Sequence, residues 1–295
     1  MNNIKIFNNS HEILSFFENV KFEPGKIVKI IIKLDFYDQL GIKSFVDLAQ
    51  IYKMKLFFVH NEKNKNIELS FKKLNENHSF HKIKQNDEKY GIQSDFFKID
   101  KISQFSFLYY YQKALMFCDI KSKNKILNLG INKGDEFEVI KNMLSEEEFY
   151  TKELVGIDYS STIIKYAQNK FPHTKMINAD INNLDKINLD KFDMIISIGT
   201  LQSSNINFNP TFMSLYQNYL SDKGSIILGF PNCRWIDGEM IYGAEVPNYN
   251  FSEMGKVLKD IHFCKKYLQQ KGYRVVITGK DYLFLSARKF KRGVT

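Results

Sequence analysis

The residues best placed to do chemistry stand where short apolar runs end. Lys125-Ile-Leu-Asn-Leu129 stops at Gly130, Gly134 follows four residues on, and a helix-like pattern begins at once. A parallel strand hands over to a helix in this way, through a tight loop that lies against a ligand. Leu154-Val-Gly-Ile-Asp158 is a second buried run ending in a carboxylate. Ile177-Asn-Ala-Asp180 is a third, and Phe192-Asp-Met-Ile-Ile-Ser197 a fourth. Strand ends that finish in residues able to hydrogen-bond a nucleoside describe one continuous crevice.

Two other glycine-loop chemistries fit less well. A dinucleotide site wants G-x-G-x-x-G with an acid about 20 residues on, whereas the spacing here is G-x-x-x-G and Asp158 lies further away. A P-loop needs Gly-Lys-Ser/Thr after the loop, and Asp135-Glu136 stands there instead.

From about Tyr90 to Lys289 this order resembles the class I S-adenosylmethionine-dependent methyltransferases. The resemblance implies a Rossmann-like α/β domain with a seven-stranded, mostly parallel sheet whose last strand is antiparallel. It also implies S-adenosylmethionine as cofactor and methyl transfer as the activity. The loop of Gly130, Asn132 and Gly134 would wrap the methionine part. Asp158, with Tyr159 beside it, would hold the ribose hydroxyls. Asp180 would meet the adenine amino group, with Ile181 against the ring, and the loop from Ser197 to Gln202 would face the reacting methyl.

The chain departs from the family pattern twice. Asn132 takes the place of the middle glycine, and asparagine visits left-handed backbone more readily than other non-glycine residues. Asn128 replaces an acid that would face the cofactor's ammonium, a charge that Asp135 or Glu136 can supply instead. The resemblance names no catalytic side chain. Transfer from an activated methyl needs placement of a nucleophile and exclusion of water more than a fixed triad.

The elements around these residues suggest three segments. Residues 1–75 read as a small α/β module of unknown role. It has a helix capped by Ser10, a strand over 26–34, a helix capped by Asp35, and strands over 55–59 and 66–71. Residues 76–89 are polar and read as a linker. Residues 90–295 read as the methyltransferase domain, with a helix over about 105–117 ahead of the glycine-loop strand. Tyr90 and Gln93 precede that helix and are candidates for substrate contact. So are Gln202 and the segment from Pro231 to Asn250, read as a long loop holding Arg234, Trp235 and Tyr242. Long loops in compact domains are mostly functional or disordered.

Composition narrows the class. The 295 residues carry a net charge of +9. The lysines are spread along the chain, however, and Arg234, Arg274, Arg288 and Arg292 are the only arginines. Arginine is the preferred bidentate reader of phosphate and guanine, so nucleic acid is weakly supported as a partner. Cys118, Cys233 and Cys264 are far apart, and His78 and His81 have no companions, so neither a disulfide framework nor a metal site is indicated. No membrane span or signal-peptide core is seen, and a cytoplasmic location is expected. Three functions follow. The first is methyl transfer to an O or N atom of a small molecule. The second is an RNA or protein methyltransferase that recruits its substrate through residues 1–75. The third is a cofactor-binding module without transfer activity.

Overall fold

A computed structural model describes residues 6–62, 65–78, 91–92, 94–244 and 252–290. The chain divides into two compact units. One comprises Met1–Ile83 with Trp235–Tyr242, and the other Lys84–Arg234 with Gly243–Thr295.

The first unit is α/β. In chain order its elements are β1 (Ile6–Phe7), α1 (Ser10–Asn19), β2 (Ile27–Lys33), α2 (Leu34–Ile51), β3 (Met54–Glu62) and β4 (Asn66–Lys73). The sheet runs β1-β2-β4-β3, with β1 parallel to β2 and the other pairs antiparallel. Its core holds Phe7, Ile13, Phe17, Ile30, Ile32, Phe45, Leu69 and Phe71. Two capping expectations need correction. Asn9, not Ser10, caps α1, and its Oδ1 accepts from the Glu12 amide at 3.0 Å. Helix α2 begins one residue before Asp35, without a side-chain cap, and is kinked where Gly41 takes φ 69°.

The second unit begins with α3 (Asp95–Lys98) and α4 (Phe105–Phe117). Strand β5 (Lys125–Leu129) then leads through the glycine loop to α5 (Asp135–Met143). There follow α6 (Glu146–Tyr150), β6 (Glu153–Asp158), α7 (Ser161–Lys170), β7 (Lys175–Asn178), β8 (Phe192–Ile198) and α8 (Phe208–Ser214). A π turn over Leu215–Tyr219 enters β9 (Leu220–Pro231), which takes in the expected turn at Ser221–Gly224 through an irregular register against β8.

Next comes a hairpin, β10 (Cys233–Ile236) and β11 (Glu239–Tyr242), then α9 (Gly255–Gln270), β12 (Tyr273–Gly279) and β13 (Tyr282–Lys289). The large sheet runs β12-β13-β9-β8-β5-β6-β7. Strands β5 to β9 pair in parallel, while β13 is antiparallel to both of its neighbours. This is the expected mostly parallel sheet with an antiparallel last strand. Ile126, Leu127, Leu129, Ile157, Ile196 and Ile227 are fully buried at its centre. Burying each such side chain contributes about 1.5–3 kcal/mol.

The strand order fixes where a ligand can sit. After β5 the chain moves to one side, through β6 and β7. It then returns to β8 on the other side of β5. Loops that leave β5 and β8 in opposite directions open a crevice at the carboxyl ends of the strands. Gly130, Asp158 and Ser197 all stand at that edge.

The hairpin corrects the expectation of a long open loop after Pro231. Asp237 and Gly238 both have positive φ, 51° and 80°, as a two-residue type I′ turn requires. Ile236 and Ile241 bury with Leu74, His78 Nδ1 lies 3.1 Å from Asp237 Oδ1, and Lys55 pairs with Glu239.

Candidate functional site

The glycine loop is held by backbone and by close packing. The Gly130 and Ile131 amides both donate to the Ile157 carbonyl, at 2.8 and 3.0 Å. Gly130, Asn132 and Gly134 take φ of 71°, 46° and 79°. Asn132 thus adopts the left-handed conformation that its side chain tolerates, and the loop keeps its turn without the middle glycine. A Cβ on Gly130 would lie 2.0 Å from Thr200 Oγ1, and one on Gly134 would lie 2.5 Å from the Phe171 ring.

Asp158 closes β6 beside this loop. Its Oδ2 accepts from the Asn132 amide and its Oδ1 from the Ser160 amide, each at 3.1 Å. Burial raises its carboxyl above the ordinary aspartate range, against the lowering effect of the Ser160 and Asn132 amides. Tyr159, the next residue, is 59% exposed. Asp180 caps the short turn over Ile181–Lys186. Its carboxylate accepts from the Asn182 amide at 2.9 Å, the Asn182 side chain at 3.0 Å and the Asn183 side chain at 3.3 Å. Ile181 is buried at the edge of the core.

The Asn128 side chain is fully buried. Its Nδ2 donates to Glu136 Oε2 at 3.1 Å, so the carboxylate absent from position 128 is brought there from α5. Lys101 Nζ meets the other oxygen of Glu136 at 2.7 Å and lies 4.0 Å from Asp135 Oδ2. Burial alone would lower the pKa of the Lys101 ammonium, but Glu136 and Asp135 carry it above its ordinary value. Burial also raises the Asp135 carboxyl, although Lys101 pulls the other way.

Several buried polar atoms at this edge have no hydrogen-bond partner among the described residues. They include Asn128 Oδ1 in β5, Asn132 Oδ1 in the glycine loop, Asp135 Oδ2 at the start of α5 and Ser197 Oγ in β8. Further along are Gln202 Oε1 in the loop after β8 and Asn232 Oδ1 after β9. Buried polar groups in folded proteins are nearly always paired, so acceptors left over along one crevice suit a ligand rich in N–H and O–H donors. A nucleoside carrying an amino acid is such a ligand, and the residues present fit it.

The second unit thus carries Asn128, Gly130, Asn132, Gly134, Asp158, Tyr159, Asp180, Ile181, Ser197 and Gln202 on the ends of β5 to β8 or the loops that leave them. Tyr90 and Gln93 lie outside the described residues. Arg234 belongs to the second unit, and Trp235 and Tyr242 belong to the first. Sequence reasoning missed Lys101 and Asn232. Nothing in Asp100-Lys101-Ile102 marks a buried lysine. Asn232 directly follows a strand on the ligand edge, which is a usable signal.

A family profile described as a methyltransferase domain matches residues 120–277, more than half of the chain. The chain belongs to this family. With its sheet order, it is a class I methyltransferase, which uses S-adenosylmethionine.

No curated protein matches the chain. Solved structures do. A TehB-like SAM-dependent methyltransferase from Corynebacterium glutamicum is 16% identical, covering 60% of this chain and 87% of its own, with a TM-score of 0.39. The plantazolicin methyltransferase BpumL, in complex with a pentazolic desmethylPZN analog and SAH, is 14% identical, covering 64% and 88%, with a TM-score of 0.44. The methyltransferase domain of bacterial CtHen1 is 12% identical, covering 62% and 97%, with a TM-score of 0.45.

Proposed function

We propose that the second unit binds S-adenosylmethionine along the ends of β5, β6 and β7, and that it methylates an O or N atom of a small molecule held at the ends of β8 and β9. The observation that carries this reading is the row of buried, unpartnered acceptors along the strand ends, with the Asp158 carboxylate held among them by two backbone amides. Asp158 would accept from the ribose hydroxyls, and Asp180 from the adenine amino group, with Ile181 beside the ring. Asn128, Gly130, Asn132 and Gly134 would enclose the amino-acid end.

When bound, the cofactor supplies a methyl group on a positively charged sulfur. The protein's own work is placement and water exclusion. Ser197, 2% exposed, and Asn232, also 2% exposed, are too deeply set to meet the surface of a folded macromolecule. With Gln202 they suit an acceptor that enters the crevice and brings its own donors. This favours a small acceptor over RNA or protein. A reducing, cytoplasmic setting suits the three cysteines, which are separate, buried thiols.

Calorimetric titration of the whole chain with S-adenosylhomocysteine tests the cofactor half of this reading. Saturable heat is expected, and its absence at millimolar ligand would overturn the assignment. The acceptor half is tested with methyl-labelled cofactor and separated cell fractions. Label is expected in the small-molecule fraction, and label confined to RNA or protein would overturn it.

A further inference from the structure

Asp281 stands in the turn between β12 and β13, on the same edge of the large sheet as Gly130, Asp158 and Ser197. Tyr282, the next residue, pairs with Pro231, the last residue of β9. The loop after β8 lies alongside. The Gly199 amide donates to the Gly229 carbonyl at 2.9 Å, and a Cβ on Gly199 would stand 3.3 Å from Pro231 Cγ. Two strand spacings, about 10 Å, therefore separate Asp281 from the end of β8.

The Asp281 side chain is fixed but little used. The residue is 4% exposed. Its Oδ2 accepts from the Ser106 hydroxyl, in the first turn of α4, at 2.7 Å, and among the described residues this is the one hydrogen bond its carboxylate receives. The Lys280 ammonium lies 3.8 Å away on a side chain that is 60% exposed. Phe107, beside Ser106, packs edge-on against the Tyr282 ring at 5.0 Å, and both rings are buried. A carboxylate has about four lone-pair sites, and a buried charge is costly unless it is paired.

Its neighbours share the surplus. The Asn232 amide donates to the Asp281 carbonyl at 2.8 Å, and Asn232 Nδ2 donates to the Lys280 carbonyl at 3.2 Å. Asn232 Oδ1 and, in the loop after β8, Gln202 Oε1 are buried without a partner among the described residues. Carboxylate and amide oxygens only accept. A hydroxyl brings one donor to such a site, whereas an ammonium brings two or three, together with the charge that Asp281 calls for.

We propose that the acceptor is a primary or secondary amine that binds as its ammonium against Asp281, and that Asp281 is the general base for its methylation. This rests on the methyltransferase reading above and narrows its O or N acceptor to N. One N–H bond breaks and the proton passes to the Asp281 carboxylate. The nitrogen takes the methyl on its freed lone pair as the bond to sulfur breaks, its electron pair left on sulfur. The product leaves as the methylated ammonium, and Asp281 returns its proton to solvent. Asn232 Oδ1 is placed for a remaining N–H group. Lys280, Cys233 and Tyr282 are the other titratable groups beside Asp281, and burial, with Asp281 itself, raises the Cys233 thiol above its ordinary range.

The test uses the whole chain, methyl-labelled S-adenosylmethionine and the small-molecule fraction of a cell extract. Treating the fraction beforehand with an N-hydroxysuccinimide ester caps primary and secondary amines and spares alcohols. Capping should lower label transfer at least about tenfold, and undiminished transfer would overturn the proposal while the parent reading stands. Asp281→Asn keeps an acceptor for the Ser106 hydroxyl and removes the base. At neutral pH it should lower transfer to the uncapped fraction at least about a hundredfold, the lower end of what general-base catalysis supplies. Affinity for S-adenosylhomocysteine should stay within about threefold. The deficit should shrink as pH rises, because an amine that is already neutral needs no base. A deficit that does not change with pH would show that Asp281 only braces α4, and no deficit would show that it meets no acceptor. Either result overturns the proposal. The capping experiment needs no variant and decides alone should Asp281→Asn fail to fold. If the wild-type chain binds no S-adenosylhomocysteine, or labels no small molecule in the untreated fraction, the parent reading falls and this proposal with it.

Discussion

Thr200 occupies the space that a side chain on Gly130 would need. Its hydroxyl donates to the Leu129 carbonyl at 3.0 Å and lies 2.0 Å from where a Cβ on Gly130 would stand. The contact joins the loop after β8 to the loop after β5 across the crevice. Gly130→Ala should therefore combine a left-handed backbone penalty of about 1–2 kcal/mol with an overpacking cost of about 1–3 kcal/mol. Gly272, with φ 79° and open space around its Cβ position, supplies the control in the same unit. Gly272→Ala should show the backbone penalty alone. Chemical denaturation of both variants checks this, and equal losses would remove the steric part. Adding Thr200→Ala to Gly130→Ala should recover part of the deficit, because contacting residues are not additive.

Much of this was legible in the sequence, and the rest was not, for physical reasons. Strands β5, β6 and β8 declare themselves as apolar runs ending in Gly130, Asp158 and Ser197, because strands buried on both faces leave no room for polar alternation. The left-handed turn at Asn132 follows from asparagine's own conformational range. The hairpin at Asp237-Gly238 carries its own turn signal, but the surrounding Gly, Asn and Tyr have the composition of a loop and mask it. Lys101 was not legible. Its burial depends on Glu136, a contact between distant positions that no local pattern encodes. The π turn over Leu215–Tyr219 likewise has no local signature.

Asp158→Ala should weaken S-adenosylhomocysteine by about 1.5–3 kcal/mol, the range for hydrogen bonds to a charged acceptor. The change also leaves the Asn132 and Ser160 amides without their acceptor. A modest stability loss should therefore accompany it, while the circular-dichroism spectrum keeps its shape. Calorimetry checks the first effect and thermal melting the second. An unchanged dissociation constant in a folded variant would mean that the ribose lies elsewhere.

Asp135 should cost the free protein stability at neutral pH. Its folded pKa is raised by burial, so the native state holds its proton more tightly than the unfolded chain. Stability is then greatest below the unfolded aspartate pKa, falls as pH rises through the folded pKa, and is flat above it. Asp135→Asn removes that loss and should melt higher than wild type at pH 7. The gain should shrink as pH falls towards the ordinary aspartate range. Melting curves taken across pH check this. A constant difference between the two proteins would show that Asp135 acts through packing rather than charge.

Gln202 should govern the acceptor and not the cofactor. Its Oε1 is buried without a partner, and its neighbour Leu201 is anchored in the core, so the side chain has a fixed base from which to meet a donor. Gln202→Leu removes the acceptor atom while nearly keeping the volume. Affinity for S-adenosylhomocysteine should stay within about threefold, since sites without shared partners behave almost independently. Transfer of label to the small-molecule fraction should fall at least about tenfold, because a substrate donor buried against leucine loses its hydrogen bond outright. The ratio of the two effects is the informative quantity. A variant that loses cofactor binding and transfer together would place Gln202 in the cofactor site, and the acceptor contacts would then have to be sought at Asn232.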